Sequence, residues 1–176
     1  MTRLPPPAPM GPQTPLRAPQ GAERAREAAR GAEAITGRQA GTQGPARILV
    51  TGSRNWPDER LVRLELSRAW YQLSRAWYQH GHHITVVHGN CPTGADHHAA
   101  LWADNWAATG LGGVTEELHP ADWATHGRAA GPIRNRHMVD LGADLCLAFI
   151  KDRSAGATHC AGLAETAGIP TRRWTA

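Results

Sequence analysis

No run of about 18 apolar residues, the length a membrane-spanning helix requires, occurs anywhere in the 176 residues, so a membrane role is not expected. The opening MTRLPPPAPM lacks the apolar core of a secretory leader and carries three consecutive prolines, so no leader is expected either. Cysteine is scarce. Cys91, Cys146 and Cys160 are odd in number and far apart, which argues against a disulfide scaffold and makes a reducing cytoplasm the expected location. Lysine is rarer still: all but one of the 19 basic residues are Arg, a bias that fits a GC-rich genome and says nothing about mechanism. Charge excess is also missing where it would count. Residues 1–46 hold six Arg and three Glu, whereas the rest of the chain holds thirteen basic and twelve acidic side chains. The net charge of +4 therefore resides largely in the first segment. The near-neutral remainder makes nucleic acid an unlikely partner.

Residues 1–46 contain eight of the thirteen prolines, ten alanines, six glycines and a single Ile. Such a segment buries too little apolar surface to offset its ordering entropy. It reads as a disordered Pro/Ala/Arg-rich tail, followed by one folded domain over 47–176. At 41% hydrophobic and 19% charged residues overall, a domain of roughly 130 residues is long enough to build a core.

From Arg47 the pattern alternates between two periods. Arg47–Gly52 (RILVTG) is a short apolar run ending in Gly, as a buried strand does. Asp58, after Pro57, opens a helical pattern that runs to about His80. Ile84–His88 reads as a strand, Ala95–Ala108 as a helix, and Val114–His119 as a third strand. Pro132–Leu141 is helical, Asp144–Ile150 (DLCLAFI) is a strand buried on both faces, Gly156–Ala167 is an Ala-rich helix, and Ile169–Arg173 is a last strand. Strands alternating with helices predict βαβ units and a parallel sheet. The expected fold is α/β: one Rossmann-like three-layer domain with about five strands.

One repeat interrupts this pattern. LSRAWYQ at Leu66–Gln72 recurs identically at Leu73–Gln79. Seven residues are nearly two helical turns, so a duplicated copy keeps its apolar face aligned to within about 20°. Val62, Leu66, Ala69, Leu73 and Ala76 continue one stripe. The simpler reading is a tandem duplication that lengthens the first helix by about 10 Å. The sharper one is a homodimer seam using Trp70, Tyr71, Trp77 and Tyr78.

In a parallel sheet, ligands bind beyond the carboxyl ends of the strands. The junctions there share one chemical character. They read Thr51-Gly52-Ser53-Arg54-Asn55, then His88-Gly89-Asn90-Cys91-Pro92-Thr93-Gly94-Ala95-Asp96, then the stretch from Asp122 to Asn135, then Ser154-Ala155-Gly156-Ala157-Thr158-His159. Glycine lets backbone N–H groups approach an anion, and a helix N-terminus adds free donors and a favourable dipole. The hydroxyls of Ser53, Thr93 and Thr158 and the fork of Arg134 add phosphate donors. Any one of these glycines suits a turn equally well, and Thr93 with Asp96 has capping-box spacing. Their convergence on one edge points to a ligand that carries phosphate.

The series VTGSR, HGNCPTGAD, HPADWATHGRAAGPIRNRHM, DLCLAFI with SAGATH, and AGIPTRR resembles the YspA/YpsA-related branch of the SLOG superfamily over residues 47–174, and most of all its actinobacterial and phage versions. The resemblance implies a Rossmann-like domain that binds nucleotide-derived ligands. Its wider relatives are the lonely-guy phosphoribohydrolases, the DNA-processing protein A family, and domains proposed to sense nucleotide signals in bacterial and phage conflict. Gly52 and Ser53 match the first loop of the family, and Gly89, Gly94 and Asp96 match its second motif. Arg134 and Asn135 match the RN pair, and Gly156 matches the glycine before the last helix. Ala157 replaces the threonine that follows that glycine, and Thr158 stands beside it. Four positions beyond Gly156, where the phosphoribohydrolases carry a catalytic Glu, stands Cys160.

The ligand-binding set expected is therefore Gly52, Ser53, Arg54, Gly89, Gly94, Asp96, Arg134, Asn135, Gly156 and Thr158. No cofactor is required, and the partner is a small nucleotide-type ligand. A metal site is not expected, because His97 and His98 point to different helical faces and no matching ligand pairs occur. His126 is the one imidazole nominated as an acid or base, and Cys91 lacks a paired base. Trp56 and Trp123 occupy loops at the ligand edge and are candidates to stack on a base. The alternative to a binding module is a nucleotide hydrolase with Arg134 stabilising charge and an acid from Asp96 or Asp122.

Overall fold

The computed structural model describes residues 45–76, 83–111 and 113–176. Residues 1–44 of the expected tail and the seam residues Trp77 and Tyr78 lie outside them, and Ala46, assigned to the tail, instead opens β1. Five strands form one sheet: β1 (Ala46–Gly52), β2 (Ile84–His88), β3 (Val114–Leu118), β4 (Leu145–Ile150) and β5 (Thr171–Thr175). All pairings are parallel, in the order β3-β2-β1-β4-β5. Between them run α1 (Glu59–Ala76), α2 (Gly94–Ala108), the one-turn α3 (Trp123–His126), α4 (Ala130–Asp140) and α5 (Ala155–Thr166), with a 3-10 turn over Gly127–Ala129. The α/β Rossmann-like architecture is as expected.

Alternation along β1 divides the core. Ala46, Ile48 and Val50 face one side and pack with Val62, Leu66, Ala69 and Leu73 of α1 and Ala95, Ala99 and Trp102 of α2. Leu49 faces the other side and packs with Val139 of α4 and Cys160 and Ala164 of α5. The stripe read from the sequence is thus the buried face of α1 through Leu73. Asp58 caps that helix, accepting the Leu61 N–H on Oδ1 at 2.8 Å.

Beyond shifts of a single residue, three departures from expectation occur. α4 starts at Ala130, two residues early, with Pro132 in its first turn, where a missing N–H costs nothing. The segment before it is the short helix α3 rather than loop; one turn is too short to show a period. β5 starts at Thr171 instead of Ile169, because Gly168 (φ +77°) ends the preceding turn and Pro170 has no N–H to give a ladder. Its carbonyl still accepts the Cys146 N–H at 2.8 Å.

Candidate functional site

The connections after β1, β2, β3 and β4 meet at the carboxyl edge and bound an open cleft of about 1110 Å³. It opens at the boundary of β1 and β4, where the strand order reverses. Crevices of this kind hold ligands in doubly wound folds. Of the expected residues, Gly52, Arg54, Gly89, Asp96, Arg134, Asn135 and Gly156 line the cleft. Ser53, Gly94 and Thr158 do not, and the geometry gives the reason for each.

Ser53 is buried, and its hydroxyl is spent on the fold. Oγ donates to the Lys151 carbonyl at 3.1 Å and accepts the Lys151 N–H at 2.8 Å, tying the end of β1 to the end of β4. Gly94 (φ +71°) lies against the Ser53 carbonyl, so its lack of a side chain serves chain-on-chain packing. Thr158 is exposed on α5 away from the cleft. His159 lines the cleft instead, four residues after Ala155, which lines it too. That i,i+4 spacing was the available signal.

Arg134 comes from the second turn of α4. Its Nε donates to Asn135 Oδ1 at 3.0 Å, and Nη1 donates to the His119 carbonyl at 3.3 Å. Asn135 is buried and passes the connection on, donating from Nδ2 to the Gly156 carbonyl at 3.0 Å. One network thus links the start of α5 to the guanidinium. A Cβ at Gly89 would fall within that guanidinium. At Gly156, by contrast, a Cβ would meet nothing within 4 Å.

Asp96, in the first turn of α2, is buried and accepts the Cys91 N–H on Oδ2 at 3.2 Å. Burial pushes its pKa up, against the pull of His88, Arg134 and the N–H groups of Cys91 and Gly89. It therefore shapes the β2–α2 loop that it faces. His88, buried at the end of β2, accepts the Asn90 N–H on Nδ1 at 3.2 Å. Its proton then belongs on Nε2, which sits 2.6 Å from Glu116 Oε1. On the edge strand β3, Glu117 receives two hydrogen bonds from Arg47, at 2.5 and 2.8 Å, and one from His119 at 2.6 Å. The Arg47 hydrogen bonds, with those of His119, hold its pKa down to about 2 despite partial burial.

The stacking candidates separate cleanly. Trp56 is 4% exposed, packs against Phe149 with ring centroids 5.5 Å apart, and donates from Nε1 to the Asp58 carbonyl. It belongs to the core. Trp123 is 51% exposed and lines the cleft. Asp122 is exposed and caps α3, accepting the Thr125 N–H on Oδ1 at 3.0 Å. Its hydrogen bonds from Thr125 lower its pKa, so it is ill suited to give a proton. His126 is exposed and is not part of the cleft lining. Cys160 is fully buried, and burial pushes its thiol up to about 11. No group of three or more His, Cys, Asp or Glu among the described residues could hold a metal ion. No described helix is long and apolar enough to cross a membrane.

Comparison with known proteins agrees with this architecture. The family described as "YspA, cpYpsA-related SLOG family" matches residues 46–126, from β1 through α3. The "Gene 61 protein" of Mycobacterium phage D29 is 44% identical over 124 residues, covering 70% of this chain and 92% of that protein. No solved structure matches. With the phage protein aligned over nearly its whole length and the Gly52, Gly89 and Asp96 junctions inside the family match, the chain belongs to the YspA, cpYpsA-related SLOG family.

Proposed function

We propose that the cleft binds a nucleotide, or a nucleotide-derived ligand with a ribose phosphate, and that the protein acts as a binding module that senses it in a bacterial or phage system. The observation that carries this reading is the seat of Arg134. Its guanidinium rests on a glycine and is fixed by two acceptors, and no hydrogen bond from Nη2 occurs among the described residues. A fixed guanidinium with a spare donor in an open cleft suits a phosphate oxygen. The N-terminal turn of α5 lines the same cleft at Ala155, Gly156 and Ala157, and a helix start favours anions. The three free cysteines support a reducing cytoplasm as the place of action. The test is isothermal titration of the full chain with AMP, ADP-ribose, NAD and cyclic nucleotides, with Arg134→Ala in parallel. Binding that Arg134→Ala weakens supports the reading. Absence of binding across the panel removes it, and binding indifferent to Arg134 moves the phosphate from the guanidinium to the Gly156 turn.

One observation favours the second reading, a nucleotide hydrolase. Asp96 places a buried carboxyl with a raised pKa in the cleft wall, beside the charge of Arg134. Such a group is the kind that can hold a proton for a leaving group. The Cys160 thiol, with its pKa raised to about 11, fully buried and outside the cleft lining, is too weak and too remote an acid to take that part. Chromatography of nucleoside monophosphates after incubation separates the readings: release of free base or phosphate, lost in Asp96→Asn, makes the protein an enzyme.

A further inference from the structure

We propose that Trp123 and Arg54 form a clamp for the flat heteroaromatic base of the ligand, so that the cleft reads a base as well as a phosphate; this rests on the cleft being a ribose-phosphate site. Among the described tryptophans, Trp123 alone is exposed. An exposed indole face at a cleft wall is available to stack on a flat ligand. The fold makes little use of the ring, yet holds it in place. Its residue opens α3, anchored by the Asp122 cap, and a Cβ on Gly131 of α4 would touch Cη2 at 3.4 Å. The ring packs beside Gly131 at the cleft wall, and Gly131 lines the same cleft.

Arg54 approaches from the β1 side of the cleft. Its Cζ lies over the Trp123 ring, 5.7 Å from the centroid. Direct contact between two flat groups needs about 3.5–4 Å, and a third flat group between them needs about 7 Å. At 5.7 Å to the centroid the two groups are in ordinary cation–π contact, and a base entering between them needs them to part to about 7 Å. Arg54 is exposed, so its side chain can supply that adjustment by a small rotation. A base between an indole and a guanidinium gains stacking on one face and a cation–π contact on the other. A single continuous stretch of chain, α3 through α4, carries both Trp123 and Arg134. It can therefore present a base contact and a phosphate contact to one ligand.

The experiment is titration of the full chain with the four nucleoside 5′-monophosphates and with ribose 5-phosphate, which has the sugar phosphate and no base. The clamp predicts that at least one nucleotide binds more tightly than ribose 5-phosphate. It predicts that Trp123→Ala weakens that nucleotide by about 5- to 150-fold, the range for loss of one base–aromatic stack. Ribose 5-phosphate should bind Trp123→Ala as it binds the parent. Trp123→Phe should restore most of the affinity, and Arg54→Ala should lose less than Trp123→Ala. Equal binding of nucleotides and ribose 5-phosphate, or nucleotide affinity unmoved by Trp123→Ala, overturns the clamp and leaves the phosphate site standing. If neither nucleotides nor ribose 5-phosphate bind, both the clamp and the ribose-phosphate reading fall.

Discussion

The guanidinium of Arg134 occupies the space in which any side chain at position 89 would stand, so Gly89 and Arg134 act as one unit across the β2–α4 boundary. Gly89→Ala is therefore expected to push the guanidinium out of its seat. The displaced atoms are the far end of a flexible side chain, so stability should fall little. Ligand affinity should fall as far as in Arg134→Ala. Gly52→Ala makes the opposite pattern, because there the new methyl meets Ala95 Cβ and, at 2.9 Å, the Phe149 carbonyl. Overpacking of that kind costs about 1–3 kcal/mol. Thermal melts of the two variants beside one titration decide the matter. A larger fall in Tm for Gly89→Ala than for Gly52→Ala is the adverse result.

Arg134 itself should carry affinity more than stability. A hydrogen bond to a charged group is worth about 1.5–3 kcal/mol, which is about 10- to 150-fold in binding. Arg134→Ala should lose affinity within that range. Arg134→Lys should recover part of the loss, since an ammonium cannot reach Asn135 Oδ1, the His119 carbonyl and a phosphate in one plane. Unchanged affinity with a large loss of Tm would make Arg134 a structural brace, and the phosphate site would then move to the Gly156 turn.

Much of the fold was legible because its signals are local. RILVTG, ITVVH and DLCLAFI are apolar runs that can only be buried, and Leu66 and Leu73 mark the inner face of α1 at helical spacing. The site was legible only as a set of junctions. Gly52, Gly89 and Gly94 look alike in the sequence, yet each makes room for another part of the same chain: Ala95, Arg134 and the Ser53 carbonyl. Trp56 and Trp123 both sit in loops, and what separates them is Phe149, nearly a hundred residues away from the first. The hydroxyl of Ser53 could not be assigned to Lys151 without the β1–β4 pairing. Contacts across the sheet are invisible to spacing rules, so the residues were recognisable but their partners were not.

Asp96 should make stability depend on pH in the direction opposite to a salt-bridged acid. Its pKa is raised in the fold above the unfolded value of about 3.9. Its unfavourable effect is therefore absent below that value and grows as pH rises through the folded pKa. Asp96→Asn keeps an acceptor for the Cys91 N–H without the charge. It should melt at or above the parent at pH 7, show a flatter profile as pH rises above about 4, and bind a phosphate ligand at least as well. A marked fall in Tm at neutral pH would instead show that the ionised carboxylate holds the loop.

Glu117 should give the usual acid dependence. Its folded pKa of about 2 lies below the unfolded value of about 4.3, so its contribution is complete above the latter and fades as pH falls toward the former. Glu117→Gln should remove that component of acid destabilisation while leaving ligand binding intact, because Glu117 is not part of the cleft lining. Acid titration of the folded signal in the two proteins checks this. Identical acid midpoints would show that the Arg47–Glu117 pair contributes nothing.

Parallel strands all run the same way, so this domain has two unlike ends. β1 begins at Ala46 on the edge remote from the cleft, while β5 finishes at Thr175 on the cleft's own edge, where Ala176 exchanges hydrogen bonds with Ile150 and Asp152. A fluorophore or surface linkage attached at Pro45, the exposed residue just ahead of β1, stands a strand length, roughly 20 Å, from the mouth of the cleft. The same attachment after β5 shares an edge with that mouth. Immobilisation at Pro45 thus leaves the opening free for solution ligands, and probes placed at Pro45 and after β5 report separately on tethering and on docking.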